Sequence, residues 1–219
     1  MKRVVVLISG GGRNLQALLD AGADGRLGAH IVAVVSNRAD AYGLERARRA
    51  GVPAQVLPHA DFPSREAFDA ALAELIEGYR PDIVVMAGFM RVVGAAFVRR
   101  FLGRMINIHP SLLPRHPGLK THQKVVEAGD REHGATVHFV TEELDGGPAI
   151  IQGQFSVTAQ DTPETLAERV MQDVELKIYP QAVAWIARGR IGLRDGRVWS
   201  DGRPLAAPRG LDDLETEFR

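Results

Sequence analysis

Asn107 and His109 stand two residues apart in the run Met105-Ile106-Asn107-Ile108-His109, and Pro110 follows at once. An extended chain turns alternate side chains to opposite faces, so the amide and the imidazole share one face while Ile106 and Ile108 share the other. A strand covered on both faces puts two polar groups near its end where they line a pocket; the plainer reading is a hydrogen-bonded core Asn and a surface His. An amide N–H and a protonated imidazole are donors that suit an oxyanion forming in a transition state. Asp145, in Glu143-Leu144-Asp145-Gly146-Gly147-Pro148, reads by itself as a turn residue. Set beside His109 it would favour the imidazolium form, but nothing in the spacing brings the two together.

A second group of residues could hold an anion. Ser9-Gly10-Gly11-Gly12-Arg13-Asn14 joins an apolar run to an amphipathic one. Backbone N–H groups of such a turn, together with the start of the helix that follows, suit a phosphate; the alternative is a tight turn with no ligand. No Gly-Lys-Ser/Thr follows, so this is not a Walker A loop. The dinucleotide fingerprint fails too, because Leu15 occupies a position that needs a small residue and Ser36-Asn37-Arg38 offers no acidic group for a ribose. The other six histidines, His30, His59, His116, His122, His133 and His138, have no compact metal-ligand spacing and read as surface or structural.

These residues need elements to position them. Val4–Ile8, Ile31–Ser36, Gln55–Leu57, Ile83–Ala87 and Met105–His109 read as strands. Helical patterns at Asn14–Ala23, Ala41–Ala50, Arg65–Tyr79 and Gly94–Phe101 alternate with them, and Ser64 looks like a cap for the third. That alternation predicts a Rossmann-like, doubly wound α/β fold, with a mostly parallel sheet and helices on both faces. Thr136–Val140 and Ala149–Val157 suggest an antiparallel addition, and a long helix over Thr162–Arg188 follows. Residues 1–189 form one expected catalytic domain. Residues 190–219 form a C-terminal extension, with a possible hairpin at Ile191–Leu193 and Arg197–Trp199 and an acidic, flexible tail from Leu211.

Composition narrows the function classes. The 219 residues include 27 Lys plus Arg and 27 Asp plus Glu, and the absence of a basic excess argues against a nucleic-acid partner. Apolar residues make up 45%, enough for a sizeable core. There is no cysteine, which rules out disulfides, thiolate nucleophiles and Cys-ligated metals and fits a cytoplasmic location. The N-terminal apolar run ends in Ser9-Gly10-Gly11-Gly12, too soon for a signal peptide, and no run approaches the roughly 18 apolar residues of a membrane span.

With those motifs in view, the chain resembles the phosphoribosylglycinamide formyltransferases, a family of folate-dependent enzymes of purine synthesis. The likeness rests on Ile8-Ser9-Gly10-Gly11-Gly12-Arg13-Asn14-Leu15, Met86-Ala87-Gly88-Phe89-Met90-Arg91 and Asn107-Ile108-His109-Pro110-Ser111-Leu112-Leu113-Pro114. It also rests on His133-Gly134-Ala135-Thr136-Val137-His138 and the Asp145-Gly146-Gly147 run, and extends from about Val4 to Gly189. The resemblance implies direct transfer of formyl from 10-formyltetrahydrofolate, as cosubstrate, to the amine of glycinamide ribonucleotide, with no metal. It implies a catalytic trio of Asn107, His109 and Asp145. Gly11, Gly12, Arg13 and Asn14 would hold the substrate phosphate and Glu175 the glycinamide portion. Arg65, Met90, Arg91, Val92, Val93, Asn107, Thr141, Glu142, Glu143 and Leu144 would hold the folate. Arg13 departs from the family, which commonly carries Ser there. The expected partners are small molecules alone, with no membrane and no nucleic acid, and the working form is a monomer or homodimer. Two alternatives remain: a formyltetrahydrofolate hydrolase, which resembles a longer chain with an N-terminal regulatory domain, and a non-catalytic nucleotide-binding module. Methionyl-tRNA formyltransferase fits less well, since the residues after the long helix are too few for its RNA-binding domain.

Overall fold

The computed structural model describes all residues from Met1 to Arg219. In chain order, β1 (Lys2–Ile8), α1 (Arg13–Ala23), β2 (Ala29–Ser36), α2 (Gly43–Arg49) and β3 (Ala54–Val56) form the first half of the wound unit. The second half contains α3 (Arg65–Gly78), β4 (Ile83–Met86), α4 (Ala95–Arg100) and β5 (Met105–His109). Next come α5 (Thr121–Ala128), β6 (Glu132–Phe139), β7 (Ala149–Ser156), α6 (Pro163–Arg169), α7 (Leu176–Ala187) and β8 (Ile191–Arg194), β9 (Arg197–Ser200) and β10 (Arg203–Pro204).

The main sheet has seven strands in the order β3-β2-β1-β4-β5-β6-β7. The first five are parallel, and β6 and β7 are antiparallel, as the alternation predicts. Both faces are covered. In β1, Val4, Val6 and Ile8 pack into one apolar layer with Leu15, Leu18 and the α7 residues Tyr179 and Val183. Val5 and Leu7 face the opposite layer, with Phe68, Leu72 and Phe97 of α3 and α4. Period-two alternation of an all-apolar strand therefore supplies both cores. Ser64 caps α3 by accepting from the Ala67 N–H.

The long helix expected over Thr162–Arg188 is three pieces. Thr162 and Thr165 form a reciprocal cap at the start of α6, a wider π-helical stretch runs over Val170–Glu175, and α7 follows with Pro180 inside it. Periodicity reads through such a stretch because the apolar spacing changes by one residue only. The Tyr179 hydroxyl, fully buried, donates to the Met86 carbonyl at 2.7 Å and so ties α7 to the end of β4.

The C-terminal segment corrects one expectation. The hairpin forms from β8 and β9, with β10 added, but the tail after it packs down. Leu214 and Phe218, four apart, are buried in the main core, each contributing about 1.5–3 kcal/mol of apolar burial. The Glu215 carboxylate accepts from Trp185 Nε1, Arg188 and Arg190, and its own N–H donates to Gln181. An acidic run reads as solvated; here one half-buried, arginine-bound carboxylate and two apolar anchors hold it. The Arg209 backbone also pairs with Ile150 and Gln152 along the open edge of β7, which shields that edge.

α5 has no counterpart in the sequence reading, and it brings His122 against His133 of β6. The two rings share one contact, His122 Nδ1 to His133 Nε2 at 2.9 Å. A single proton serves two nitrogens there, and burial pushes His133 down to about 4 from its ordinary 6.5 and lowers His122 as well. With the folded value below the unfolded one, the unfolded chain binds more protons between these values, so stability falls as pH drops from about 6.5 toward 4. We expect denaturant midpoints measured between pH 6.5 and 5 to decline in the wild-type protein and to decline less in His133→Gln. An equal slope in the two proteins would remove the pair from this role.

Candidate active site

In a doubly wound sheet the ligand crevice opens beyond the carboxyl ends of the strands, where the strand order reverses. The order β3-β2-β1-β4-β5 reverses between β1 and β4. The turn after β1 and the segment after β4 meet there: the Ser9 N–H donates to the Gly88 carbonyl at 3.1 Å, and Ser9 Oγ accepts from the Met90 N–H at 2.8 Å. Ser9 Oγ donates in turn to Asn37 Oδ1 at 2.5 Å, so three strand ends share one buried hydroxyl.

Asn107 and His109 lie at the end of the neighbouring strand β5, and His109 is buried. The loop after β6 folds back so that Asp145 Oδ2 stands 3.5 Å from His109 Nδ1, both side chains being nearly sequestered from solvent. Two residues 36 positions apart in the chain thus meet as the trio requires. Asp145 adopts φ 51°, a left-handed conformation that Asp tolerates in turns. Gly147 is required beyond it: a Cβ there would lie 1.8 Å from the Phe139 carbonyl oxygen. Asp145 Oδ2 also accepts from the Gly118 N–H at 2.9 Å, and His109 Nε2 lies 2.9 Å from the His116 carbonyl. Both imidazole nitrogens therefore face acceptors, which suits a ring carrying two N–H groups.

The sequence reading missed His138, taken there as surface or structural. Asn107 pairs directly with His138 across the β5–β6 ladder, so their side chains share a face. His138 is 2% exposed, and burial lowers its affinity for a proton. Its Nδ1 donates to the Phe139 carbonyl at 3.0 Å, which leaves Nε2 as an acceptor. That nitrogen lies 3.4 Å from Asn107 Nδ2 and 4.0 Å from Asp145 Oδ1. A neutral His138 thus takes one N–H of the Asn107 amide and turns the other outward. The signal available in the sequence was parity: in His133-Gly134-Ala135-Thr136-Val137-His138, only an antiparallel register against β5 reveals the partner.

The anion-binding candidates sit at the β1–α1 turn. Gly12 is left-handed at φ 73°, and Asn14 is buried with its Nδ2 donating to Glu175 Oε2 at 2.6 Å. Burial raises the Glu175 carboxyl above its ordinary range. Asn14 Oδ1 is buried without any hydrogen-bond partner. An unpartnered acceptor beside a buried carboxyl calls for a donor-bearing ligand group, such as a hydroxyl or an amine. Arg13 is held by both oxygens of Glu168, at 2.8 and 2.9 Å, so its guanidinium leans toward α6.

The residues matched to a folate group less tightly. Met90, Val92 and Leu144 are exposed apolar side chains, Arg91 lies over the Phe68 ring, 5.5 Å from its centroid, and Val93 packs against the α3–α4 layer. Glu142 is engaged by Arg99 at 2.8 Å, Glu143 accepts from the Gly146 N–H through its carbonyl, and Thr141 is half-buried. Arg65 points to solvent near Glu66, at 3.6 Å.

Residues 2–183 match the formyl transferase family. The chain belongs to that family. It is 50% identical to the phosphoribosylglycinamide formyltransferase of Escherichia coli (strain K12) over 207 residues, which cover 94% of this chain and 97% of that protein. Among solved structures, the phosphoribosylglycinamide formyltransferase of Coxiella burnetii superposes with a TM-score of 0.91 at 51% identity, covering 95% of this chain and 98% of that one. The glycinamide ribonucleotide transformylase 1 of Symbiobacterium toebii follows with a TM-score of 0.88 at 48% identity, covering 91% and 94%. This formyltransferase chain also aligns with 19% of the bovine trifunctional purine biosynthetic protein adenosine-3, at 47% identity over 90% of its own length.

If this crevice is the active site, His138→Ala frees the Asn107 amide and should lower turnover on the order of tenfold, the loss of about one well-placed hydrogen bond. Combined with Asn107→Ala it should add almost nothing, because the two act through one group. Steady-state turnover of the single and double variants checks this, and additive losses would show that His138 acts elsewhere.

Proposed function

We propose that the chain moves the formyl group of 10-formyltetrahydrofolate onto the amine of glycinamide ribonucleotide, in purine synthesis. The single observation that carries this reading is the meeting of Asn107, His109 and Asp145 at the end of β5, two strands along the sheet from a Gly-rich turn suited to a phosphate. Near-complete alignment with enzymes named for that reaction supports it.

Attack of an amine on a formyl carbon creates an oxyanion. The outward N–H of Asn107 and an N–H of His109 are the donors for it, and Asp145 stabilises and orients the charged ring. In this structure His109 Nε2 is engaged by the His116 carbonyl, so donation to substrate requires that bond to be exchanged. The proton released by the attacking amine must pass to the departing nitrogen of the folate; Asp145 and His109 are the nearest titratable pair to relay it. The exposed apolar side chains of Met90, Val92 and Leu144 beside Asn107's strand are of the kind that covers a flat heteroaromatic ring, and Asn107 serves both the folate and the chemistry. Glu175 receives the glycinamide portion and Asn14 Oδ1 a hydroxyl or amine of the substrate, while Gly11, Gly12, Arg13 and Asn14 take the phosphate through backbone N–H groups, since Glu168 holds the Arg13 guanidinium. Thr141, Glu142, Glu143, Arg65, Arg91 and Val93 form the outer folate wall. Residues 1–189 are the catalytic domain in this reading, and residues 190–219 brace it. The working form is a monomer or homodimer in the cytoplasm.

His109→Ala and Asn107→Ala should each lower turnover on the order of 10²-fold or more, with substrate affinity changed far less. Their double variant should cost less than the product. Turnover measured beside direct binding of both substrates to the folded variants decides the matter. A loss confined to affinity favours a non-catalytic nucleotide-binding module. Formate release without acceptor at the rate of transfer favours a hydrolase.

A further inference from the structure

Arg46 lies on α2, in the run Arg46-Ala47-Arg48-Arg49. Its Nε donates to the Gly11 carbonyl at 2.7 Å, and its Nη1 donates to Gln16 Oε1 at 3.1 Å. No carboxylate lies within ion-pair distance of it, unlike Arg13, Arg48 and Arg49. The adjacent Gly10 carbonyl accepts from the Gly43 N–H, the first of α2, at 3.0 Å.

These two contacts fix the backbone. In a planar trans peptide, the carbonyl of one residue and the N–H of the next point in opposite directions. The Gly10–Gly11 and Gly11–Gly12 peptides both turn their carbonyls toward α2, so the Gly11 and Gly12 N–H groups both point away from it. Neither N–H has an acceptor elsewhere in the chain. α2 can back the turn so closely only because both positions are glycine: a Cβ on Gly12 would lie 2.8 Å from Gly43 Cα, and one on Gly43 would lie 2.5 Å from Ile8 Cδ1. The buried, unpartnered Asn14 Oδ1 and the buried Glu175, on the same turn and the helix that faces it, mark this as a place for a ligand.

We propose that Arg46 is a positioning residue for the substrate phosphate, holding the Gly11 carbonyl so that the Gly11 and Gly12 N–H groups converge on the anion. This rests on the reading of the Gly-rich turn as the phosphate site. Without the guanidinium, the Gly11–Gly12 peptide is free to rotate, since glycine imposes little barrier, and the carbonyl oxygen can then face the phosphate and repel it. Arg46 also leaves one unpaired positive charge behind the turn, which adds to the field of the α1 N-terminus. Tyr42 supports the guanidinium from its other side, with the ring centroid 5.0 Å away.

The test uses the full chain with Arg46→Met, which keeps the aliphatic stem, and Arg46→Lys, which keeps a donor. Both are checked for folding by circular dichroism and thermal melting. Acceptor KM should rise on the order of tenfold or more in Arg46→Met and less in Arg46→Lys, while kcat and folate KM stay within about twofold. The rise should vanish when the acceptor is the dephosphorylated nucleoside. An unchanged acceptor KM, or an equal rise with and without the phosphate, overturns the proposal. If the wild-type protein fails to formylate the acceptor at all, the proposed function falls, and the positioning role is read separately. Inorganic phosphate is then titrated while the Gly11 and Gly12 amide resonances are followed by NMR. Saturation at lower phosphate in the wild type than in Arg46→Met sustains the inference; identical titrations, or no shift at either glycine, end it.

Discussion

The antiparallel seating of β6 on β5 is the constraint on which the site depends. It sets Asn107 opposite His138 and His109 opposite Thr136. A slip of one residue would move every β6 side chain to the other face and remove His138 from the pocket. Thr136 explains why the register holds: its hydroxyl donates to the Ser111 carbonyl and accepts from the Leu113 N–H and from Gln152 Nε2. The chain leaving His109 is thereby tied to the strand beside it. Asp145 can reach His109 only because the β6–β7 connection folds back over that same pair of strands. A sheet that stayed parallel would need a crossover helix at this point and could not bring the turn to the strand end.

The parallel half serves a different purpose, and its charges show it. Around the β1–α1 turn the polar groups are backbone N–H, guanidinium and a buried carboxyl. Around β5 they are a buried neutral imidazole, an amide and an imidazole–carboxylate pair. In the proposed reaction, the first set would meet charge present in the ground state and the second charge that appears during reaction. The π-helical stretch ending at Glu175 links the halves. It interrupts a helix that packs on the sheet and brings a carboxyl to Asn14, at the cost of regular i to i−4 bonding.

The fold was largely legible, because all-apolar strands and amphipathic helices carry their own periods. β5 was read to the residue, and β1, α3 and β7 to within two. α5 was not read: eight residues with only Val125 and Thr121 buried give too little apolar pattern. The tail was misread because charge density outweighed two apolar residues whose spacing is only one turn. For the site, the pairing of Asn107 with His109 followed from strand parity, whereas their meeting with Asp145 depends on tertiary folding and came only with the family resemblance. His138 and Arg46 carry no motif: each bears on a candidate site residue only through a contact across the fold.

Such contacts point to how the site is preorganised. A polar group with two hydrogen-bonding positions can be aimed by occupying one of them. His138 has Nδ1 committed to the Phe139 carbonyl, so Nε2 is an acceptor; Asn107 spends one N–H on that acceptor, so the other is directed. The Gly10 and Gly11 carbonyls are committed to α2, so the opposite N–H groups are directed. The Asp145 carboxylate accepts from Gly118 with the oxygen that also faces His109, which restrains its rotation. In each case a bond within the chain commits one side of the group and so fixes the direction of the other. Donors held this way need little reorganisation when charge develops, which is what makes them effective in a water-poor pocket. In the proposed reaction, the outer groups would work only as well as the residues on the inner side of each bond hold them.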